Sequence, residues 1–541
     1  MATSRSFDGL VGVGGLLRFM LRRDRIRLPG WVLGLTLMMT YFTTALQSLL
    51  ATPEDVAGMA GFASTPVGAL FGGPGLGYDD LTIERFLASQ YGLYILLGAA
   101  LMGLLTVTRH TRAEERSGRA ELVRANVVGR HAQLTAALVL AAVMSLLVAL
   151  LVAGVMAGSG FDTAGSVLFG AGVGAGGLVF AGIAAITVQL SEYPRATAGM
   201  AGAVLGAAFV LRGLGDMAAV QGSGPAWLSW LSPLGWSQQT APYVFDRWWP
   251  LALSLLFAGA TAAAGYVLSS RRDLGAGLVP PRPGSPVAAP WLRSPFTLAF
   301  RLHRGSLVGW STALLVAGLA YGAFTQPMID GFADAPPDLV AVMGGGEDLL
   351  NGFLGLMGLM MAFTVSVFAI LATQSVRGEE NDGRAEPVLA TAVSRPGWLG
   401  WHTIVIAAGA LWLLLVAGTG MGVGAAISTG DAGMVGDLVL GHVAHTPAVW
   451  LVLVVAALLY GAAPRALPAV WLILGYGVLV GFFAPLLDIP DTAAYLSPFE
   501  HVGRYPLEDI GIGAILVLTA GAGLVTAAAL GTFRRRDLTT T

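Results

Sequence analysis

The sequence contains no cysteine and no lysine, and all 30 of its basic residues are arginines. Without cysteine the chain can have no disulfide, no thiol catalysis and no cysteine-ligated metal. Without lysine it cannot build a Walker A phosphate loop, because the lysine of GxxxxGK[ST] contacts the terminal phosphates of the nucleotide. We therefore predict no catalytic residue, no metal site and no cofactor bound by this chain. If ATP is used, another chain must hydrolyse it.

Charged residues are also scarce. They make up 11% of the 541 residues, whereas 55% are hydrophobic and the mean hydropathy is +0.72. Soluble domains carry about 25% charged residues, so this composition is typical of a protein that crosses a membrane several times. The formal net charge is −2, and it gives no reason to expect a nucleic-acid partner.

Long apolar runs indicate the membrane spans. A helix that crosses the bilayer needs about 20 mostly apolar residues, and twelve runs of this kind are present. We predict an all-α polytopic membrane protein with about 12 transmembrane helices. The predicted spans lie near residues 31–50, 90–108, 132–157, 164–190, 196–214, 249–270, 307–326, 352–373, 402–427, 436–461, 466–486 and 509–531.

The sequence repeats itself. Residues 112–130 and 377–395 agree at eleven of nineteen positions, and Arg-Arg-Asp-Leu occurs at both 271–274 and 535–538. Each half holds six predicted spans, an even number, so the two halves point the same way through the membrane as parallel repeats. The predicted domains are an amphipathic N-terminal arm (1–30), a first transmembrane half (31–270), a Pro-rich linker with a second amphipathic segment (271–306), a second transmembrane half (307–531) and a tail (532–541).

The arginines predict the orientation. Most of them lie in the arm, the two repeated loops, the linker, the tail and the short turns near Arg195 and Arg465, and only Arg85, Arg212, Arg247 and Arg504 lie elsewhere. Because basic residues accumulate on the cytoplasmic side, we predict that both termini are cytoplasmic and that the protein lies in a plasma membrane.

Each repeated loop follows the second span of its half and carries a pair of glutamates. The pair should extend the second span beyond the bilayer, and a glycine should end it. A short helix then begins with a glutamate in its first turn, where the helix dipole favours an anion. A purely topogenic loop would explain the arginines but not the repeated acids, because acids contribute little to orientation. We therefore interpret each loop as a rigid elbow that docks on a soluble partner.

Each repeated loop resembles the coupling region of type 2 ABC exporter permeases. The shared features are an acidic pair, a glycine, a further glutamate and a run of small and apolar residues that ends in a basic residue. The resemblance covers nearly the whole chain and is strongest to the antibiotic and multidrug exporter permeases of Actinobacteria, of the polyketide and tetronasin type. It implies a separate ABC ATPase subunit, in two copies, that binds ATP and Mg²⁺ and docks on the elbows. The residues that match the coupling region are Glu114, Glu115, Gly118, Arg119, Glu121, Glu379, Glu380, Gly383, Arg384 and Glu386. Pro387 replaces Leu122 in the second copy, which leaves open whether the two docking sites are equivalent.

On this interpretation the protein is the membrane permease of an ATP-driven exporter for a hydrophobic or amphipathic compound. A pocket between the halves should be lined by apolar and aromatic side chains, and the resemblance points to the second span of each half. The candidates are Tyr91, Tyr94, Met102, Phe353, Met357 and Met361. Ordinary helix packing is the alternative for each of them.

The alternative function is proton-coupled drug efflux by a 12-helix carrier of the facilitator type. Arg-Ser-Gly-Arg at 116–119 superficially matches the loop that such carriers have after their second span. Proton coupling usually needs an acid inside the membrane. The acids near the spans, such as Asp216, cluster toward the outer side, and His402 is expected to be an interfacial histidine with its hydrogen bonds satisfied.

Overall fold

The computed structural model describes residues 9–50, 56, 64, 66–125, 128–222, 224–280, 284–326, 346–483 and 490–537. Within these ranges all regular structure is helical. The chain divides into two compact units, Met1–Gly284 and Ser285–Thr541, and the division lies inside the predicted linker. Each of the five predicted domains contains residues outside these ranges. They include 1–8 of the arm, 126–127 of the first repeated loop, 281–283 of the linker, 327–345 and 484–486 of the second half, and 538–541 of the tail.

The first unit contains twelve α-helices. They are α1 (Val13–Arg23), α2 (Arg27–Leu49), α3 (Pro66–Phe71), α4 (Ile83–Phe86), α5 (Gly92–His110), α6 (Arg112–Arg116), α7 (Arg119–Arg124), α8 (Ala132–Gly158), α9 (Thr163–Leu190), α10 (Pro194–Val220), α11 (Pro233–Gln238) and α12 (Trp249–Ser269) among the described residues. One π-helical turn, Leu87–Tyr91, joins α4 to α5, and two 3₁₀ turns occupy Tyr78–Asp80 and Ala226–Leu231.

The second unit continues with nine α-helices. They are α13 (Pro295–Ala323), α14 (Gly346–Asn381), α15 (Ala385–Leu389), α16 (Arg395–Thr429), α17 (Met434–Ala444), α18 (Thr446–Ala462), α19 (Val470–Phe483), α20 (Asp491–Ala494) and α21 (Ile512–Arg535) among the described residues. A 3₁₀ turn, Pro464–Ala469, precedes α19. The predicted second amphipathic segment is the first part of α13, so in this unit it continues into the span without a break.

Eleven helical segments of the described chain are long and apolar enough to cross a membrane. They coincide with eleven of the twelve predicted spans, and the all-α polytopic class is confirmed. The first predicted span is also helical, as the 23-residue α2, but four threonines reduce its hydrophobicity. Each threonine hydroxyl donates to a backbone carbonyl one turn earlier, which satisfies it within the helix; the four are Thr36, Thr40, Thr43 and Thr44.

Glycines bring α9 close to its neighbours in the first unit. A Cβ added at Gly170 would overlap the carbonyl oxygen of Ala149 on α8, and one added at Gly174 would meet that of Ser145. The glycine-rich run predicted to serve packing in a membrane span therefore does so, because small residues let helices approach closely. The first span has no such contact, since a Cβ at Gly30 would have no atom within 4 Å.

The second unit uses glycines in a different pair of helices. Gly318 and Gly322 of α13 lie against the backbone of α16, and Gly420 and Gly424 of α16 lie against the backbone of α13. A Cβ added at any of the four would overlap or crowd a backbone carbonyl oxygen of the facing helix. The first and third spans of this unit are therefore interlocked through reciprocal close contacts.

Candidate coupling site

The first elbow follows α5. The helix ends at His110, a separate turn, α6, carries Glu114 and Glu115, and Gly118 then adopts a φ of +73°. Glycine populates this left-handed region without steric cost, which allows the chain to reverse before α7. The predicted break and short second helix are both present.

The second elbow has the same form. Here α14 is continuous through Glu379 and Glu380 and ends at Asn381, and Gly383 has a φ of +71° before α15. Pro387 lies in the first turn of α15, where a missing backbone N–H costs nothing. The repeated sequence therefore forms a repeated structure.

Glu114 is held by two arginines. Its Oε2 accepts a hydrogen bond from Arg119 Nε at 3.0 Å, and its Oε1 accepts one from Arg23 Nη1 at the end of α1. Only 9% of its side chain is exposed. One carboxylate thus joins the elbow to the N-terminal arm.

Glu115 is a more deeply buried hub. It accepts hydrogen bonds from Arg112 Nη1 at 2.8 Å, from Arg272 Nη2 at 2.7 Å and from the backbone N of Gly275 at 3.3 Å. Arg272 also donates to Gln189 Oε1 at the end of α9, at 2.5 Å. The segment after the sixth span therefore folds back onto the elbow, beside a polar cavity of about 300 Å³ that both Glu115 and Arg272 line.

The second elbow repeats this arrangement with fewer partners. Glu379 accepts two hydrogen bonds from Arg384, both at 2.7 Å. Glu380 accepts one from Tyr460 Oη on α18 and one from Arg536 Nη2 just after α21, each at 2.6 Å. The hydrogen bond to Glu379 raises the pKa of the Arg384 guanidinium, which stays charged.

The glutamate pairs were expected to face a partner, but all four carboxylates bind arginines of their own unit, and those of Glu114, Glu115 and Glu380 are buried. The outward surface of each elbow consists of other residues. In the first elbow these are Arg116, Ser117, Arg119, Glu121 and Leu122, and in the second they are Asn381, Asp382, Arg384, Glu386 and Pro387. Of the predicted coupling residues, Arg119, Glu121, Arg384 and Glu386 are therefore exposed for docking. The docking role itself stays a prediction.

Asp24, between α1 and α2, fixes the arm to the second span. It accepts hydrogen bonds from Arg109 Nε and Nη2 at 2.6 and 2.7 Å, and His110 Nε2 lies 3.1 Å from the same carboxylate. The hydrogen bond from Arg109 holds the pKa of Asp24 below its usual value, against the opposing effect of burial.

The arm of the second unit makes a different contact. His303 of α13 lies 3.1 Å from His402 of α16, nitrogen to nitrogen, and both rings are buried. His402 Nδ1 therefore has a hydrogen-bonding neighbour, but its Nε2 is buried without one among the described residues. The prediction of an interfacial histidine with satisfied hydrogen bonds is thus only partly met, because Trp398 and His303 bury the ring.

A buried ion pair near the end of the fifth span was not predicted. Arg212 and Asp216, one turn apart on α10, are both almost fully buried and lie 3.1 Å apart. Arg212 also donates to the carbonyl oxygens of Leu70 and Gly72, and Ser229 donates to Asp216. An arginine and an aspartate four residues apart inside an apolar run is the signal that could have indicated this pair.

The predicted pocket residues have mixed environments. Met102 and Met361 are buried in the cores of their own units. Tyr91 stacks near Phe42 of the first span, with ring centroids 4.7 Å apart, and Tyr94 lies next to both rings. Phe353 and Met357 pack against a small core cluster of the second unit. The tyrosines and Phe353 remain the more accessible candidates for contact with a substrate.

Comparisons with known proteins agree with the repeated architecture. The family described as "Multidrug efflux system permease Rv1217c, C-terminal domain" matches residues 14–268 and 292–534, one segment in each unit. The multidrug efflux system permease protein Rv1217c of Mycobacterium tuberculosis (strain ATCC 25618 / H37Rv) is 40% identical over 543 residues, covering 98% of this chain and 96% of that protein. The chain therefore belongs to the Rv1217c family of multidrug efflux system permeases.

Proposed function

We propose that this chain is the membrane permease of an ATP-driven ABC exporter that moves a hydrophobic or amphipathic compound out of the cell. The observation that carries the proposal is the pair of elbows, which have the same shape, follow the second span of each unit and present charged outer surfaces. The name of the relative, a multidrug efflux system permease, supports export of drug-like compounds.

The motor is a separate chain in this proposal. A lysine-free sequence cannot form a Walker A loop, so ATP and Mg²⁺ bind to a partner ABC ATPase. Two copies of the ATPase, one for each elbow, would match the repeat. The elbows then face the cytoplasm of a bacterial cell, where ATP is available, and both termini lie on that side, in agreement with the distribution of arginines.

The exposed glutamates of the two elbows allow a direct test of ATPase binding. Glu121 and Glu386 occupy equivalent positions, and both are exposed. Reversal to arginine should weaken ATPase binding through like-charge repulsion and leave the fold intact, because substitutions on an exposed surface usually change stability by about 0.5 kcal/mol or less. Affinity purification of the tagged chain from native membranes should recover an ABC ATPase, and the Glu121→Arg/Glu386→Arg variant should recover at least tenfold less.

A matched control is available in the C-terminal helix. Thr519 is exposed on α21, remote in sequence from both elbows, and its hydroxyl bonds only within its own helix. Thr519→Ala should recover as much ATPase as the wild type. The proposal fails if wild-type membranes yield no ABC ATPase, or if purified complexes show no ATP hydrolysis above that of the isolated permease.

Asp216 is the observation that supports the facilitator-type alternative, because it is an acid buried in a span. However, each buried carboxylate in the described part of the chain is paired with an arginine, whose charge favours the ionised form and opposes the effect of burial. A proton carrier needs an acid that protonates during transport. Efflux that stops when an uncoupler collapses the proton gradient at constant ATP would favour the carrier, and efflux that continues would favour the exporter.

A further inference from the structure

The segment that follows the sixth span is tied to the elbow in both units by the same kind of ion pair. Arg272 binds Glu115 and Arg536 binds Glu380, with N–O distances of 2.7 and 2.6 Å. The partners are 157 residues apart in the first unit and 156 in the second. Both arginines are the second residue of the repeated Arg-Arg-Asp-Leu sequence, and both glutamates are the second acid of the repeated pair.

Both pairs are shielded from water. The side chains of Glu115 and Glu380 are each 4% exposed, and those of Arg272 and Arg536 are 9% and 13% exposed. Separating Glu380 from Arg536 would leave a buried carboxylate without its arginine, and separating Glu115 from Arg272 would leave it with Arg112 alone. Proteins strongly disfavour a buried charge that loses its counter-ion. Exposed ion pairs, by contrast, contribute little. The two connections should therefore stay closed while neighbouring parts of the chain move.

We propose that these two ion pairs, which we call the joints, make each elbow and the end of its sixth span move as one rigid piece. Arg272 and Arg536 are positioning residues in this arrangement. The inference rests on the proposed function to the extent that a partner ATPase pushes on the elbows. Through the joints, a displacement of the elbow would reach the sixth span directly rather than only through the second span.

The second joint is the better one to test. Among the described residues, Glu380 accepts hydrogen bonds from Arg536 and Tyr460 alone, whereas Glu115 binds Arg112 and Gly275 in addition to Arg272. A reversed pair at Glu380 and Arg536 therefore places no new arginine beside a buried one. The variants are Glu380→Gln, Arg536→Gln and the exchange Glu380→Arg/Arg536→Glu.

Hydrogen exchange of the full chain in detergent tests the mechanical claim without any partner. Neutralising Glu380 should speed exchange at least fivefold in residues 530–536, and neutralising Arg536 should do the same in residues 385–389. The exchanged pair should restore much of the protection in both segments. If each single variant loosens only the segment that carries it, or if the exchange restores nothing, the joint does not exist as a mechanical link.

A second experiment measures whether a displacement of the elbow affects ATP hydrolysis in the complex with the ATPase. Glu380→Gln should keep ATPase recovery within twofold of the wild type, while the change in ATP hydrolysis that permease binding causes falls at least fivefold. Glu386→Arg is the matched control, because it should lower recovery without altering exchange in residues 530–536. An unchanged hydrolysis response in Glu380→Gln would overturn the role in transmission. If no ATPase binds the wild type, the proposed function fails, and the exchange experiment still decides the joint.

Discussion

Asp24 accepts two hydrogen bonds from Arg109, at 2.6 and 2.7 Å, and so joins the N-terminal arm to the base of the second span. Glu114 adds a second connection from the same region to Arg23 of the arm. The first elbow is thus braced by the arm, whereas in the second unit the equivalent segment contacts His402 of the third span. The two units share an elbow but not the surroundings of that elbow.

The Asp24 ion pair predicts a pH dependence. The native pKa of Asp24 lies below its unfolded value of about 3.9, so its stabilising effect is complete above that value and is lost as the pH falls through the native pKa. Asp24→Asn should therefore lower the Tm at pH 7, in line with a loss of about 2 kcal/mol for hydrogen bonds to a charged group. Thermal melts in detergent should show that the difference in Tm between the variant and the wild type becomes smaller below about pH 4. A difference that is constant from pH 7 to pH 3 would contradict this role.

The arm contacts the first elbow through Glu114, so we expect the substitution of Glu114 to lower stability more than the substitution of Glu379. Glu114→Gln removes contacts to both Arg23 and Arg119, and should cost about 2 kcal/mol and speed exchange in residues 13–23. Glu379→Gln loses only a half-exposed arginine, which should cost under about 1 kcal/mol. Melting temperatures and hydrogen exchange of the two variants measure this. Equal losses would show that the arm does not brace the elbow.

The Arg212–Asp216 pair predicts non-additive mutations. Arg212→Met leaves the buried carboxylate of Asp216 without its counter-ion and removes a hydrogen bond to Leu70 and one to Gly72, which should destabilise the protein by about 3 to 5 kcal/mol. The double variant Arg212→Met/Asp216→Leu removes the stranded charge and should cost clearly less. Unfolding followed by tryptophan fluorescence, compared across the two variants, gives the answer. A double variant that is as unstable as Arg212→Met, or less stable, would contradict the pairing.

The close glycine contacts between α13 and α16 predict that a larger side chain at these positions destabilises the protein. Gly322→Leu would force a side chain into the backbone of α16, and overpacking of this kind costs about 1 to 3 kcal/mol or more. Gly309→Leu on the same helix is the control, because a Cβ there meets no atom within 4 Å. The Gly322 variant should melt several degrees lower than the control. Similar melting temperatures would mean that α13 and α16 are not closely packed in solution.

Much of this architecture could be predicted from the sequence. Apolar length identifies spans because the bilayer requires it, and the repeated glycine predicts the helix ends that lie two residues before Gly118 and Gly383. The partners of the glutamates could not be predicted in this way. Arg272 approaches Glu115 only because the chain after the sixth span folds back along α9, and hydropathy carries no information about such a tertiary contact. The repeat of Arg-Arg-Asp-Leu marked the right residue without showing what it touches.

The different positions of the glycine contacts have a consequence for how each half can bend. In the first unit the close glycine contacts join the fourth span to the second, third and sixth spans, and neither glycine of α2 takes part; in the second unit the first span is interlocked with the third. Helices in such contact cannot slide past each other without overlap of their backbones. The helices that can shift within the first half therefore differ from those that can shift within the second. The two copies of the repeat would then move differently during a single transport cycle.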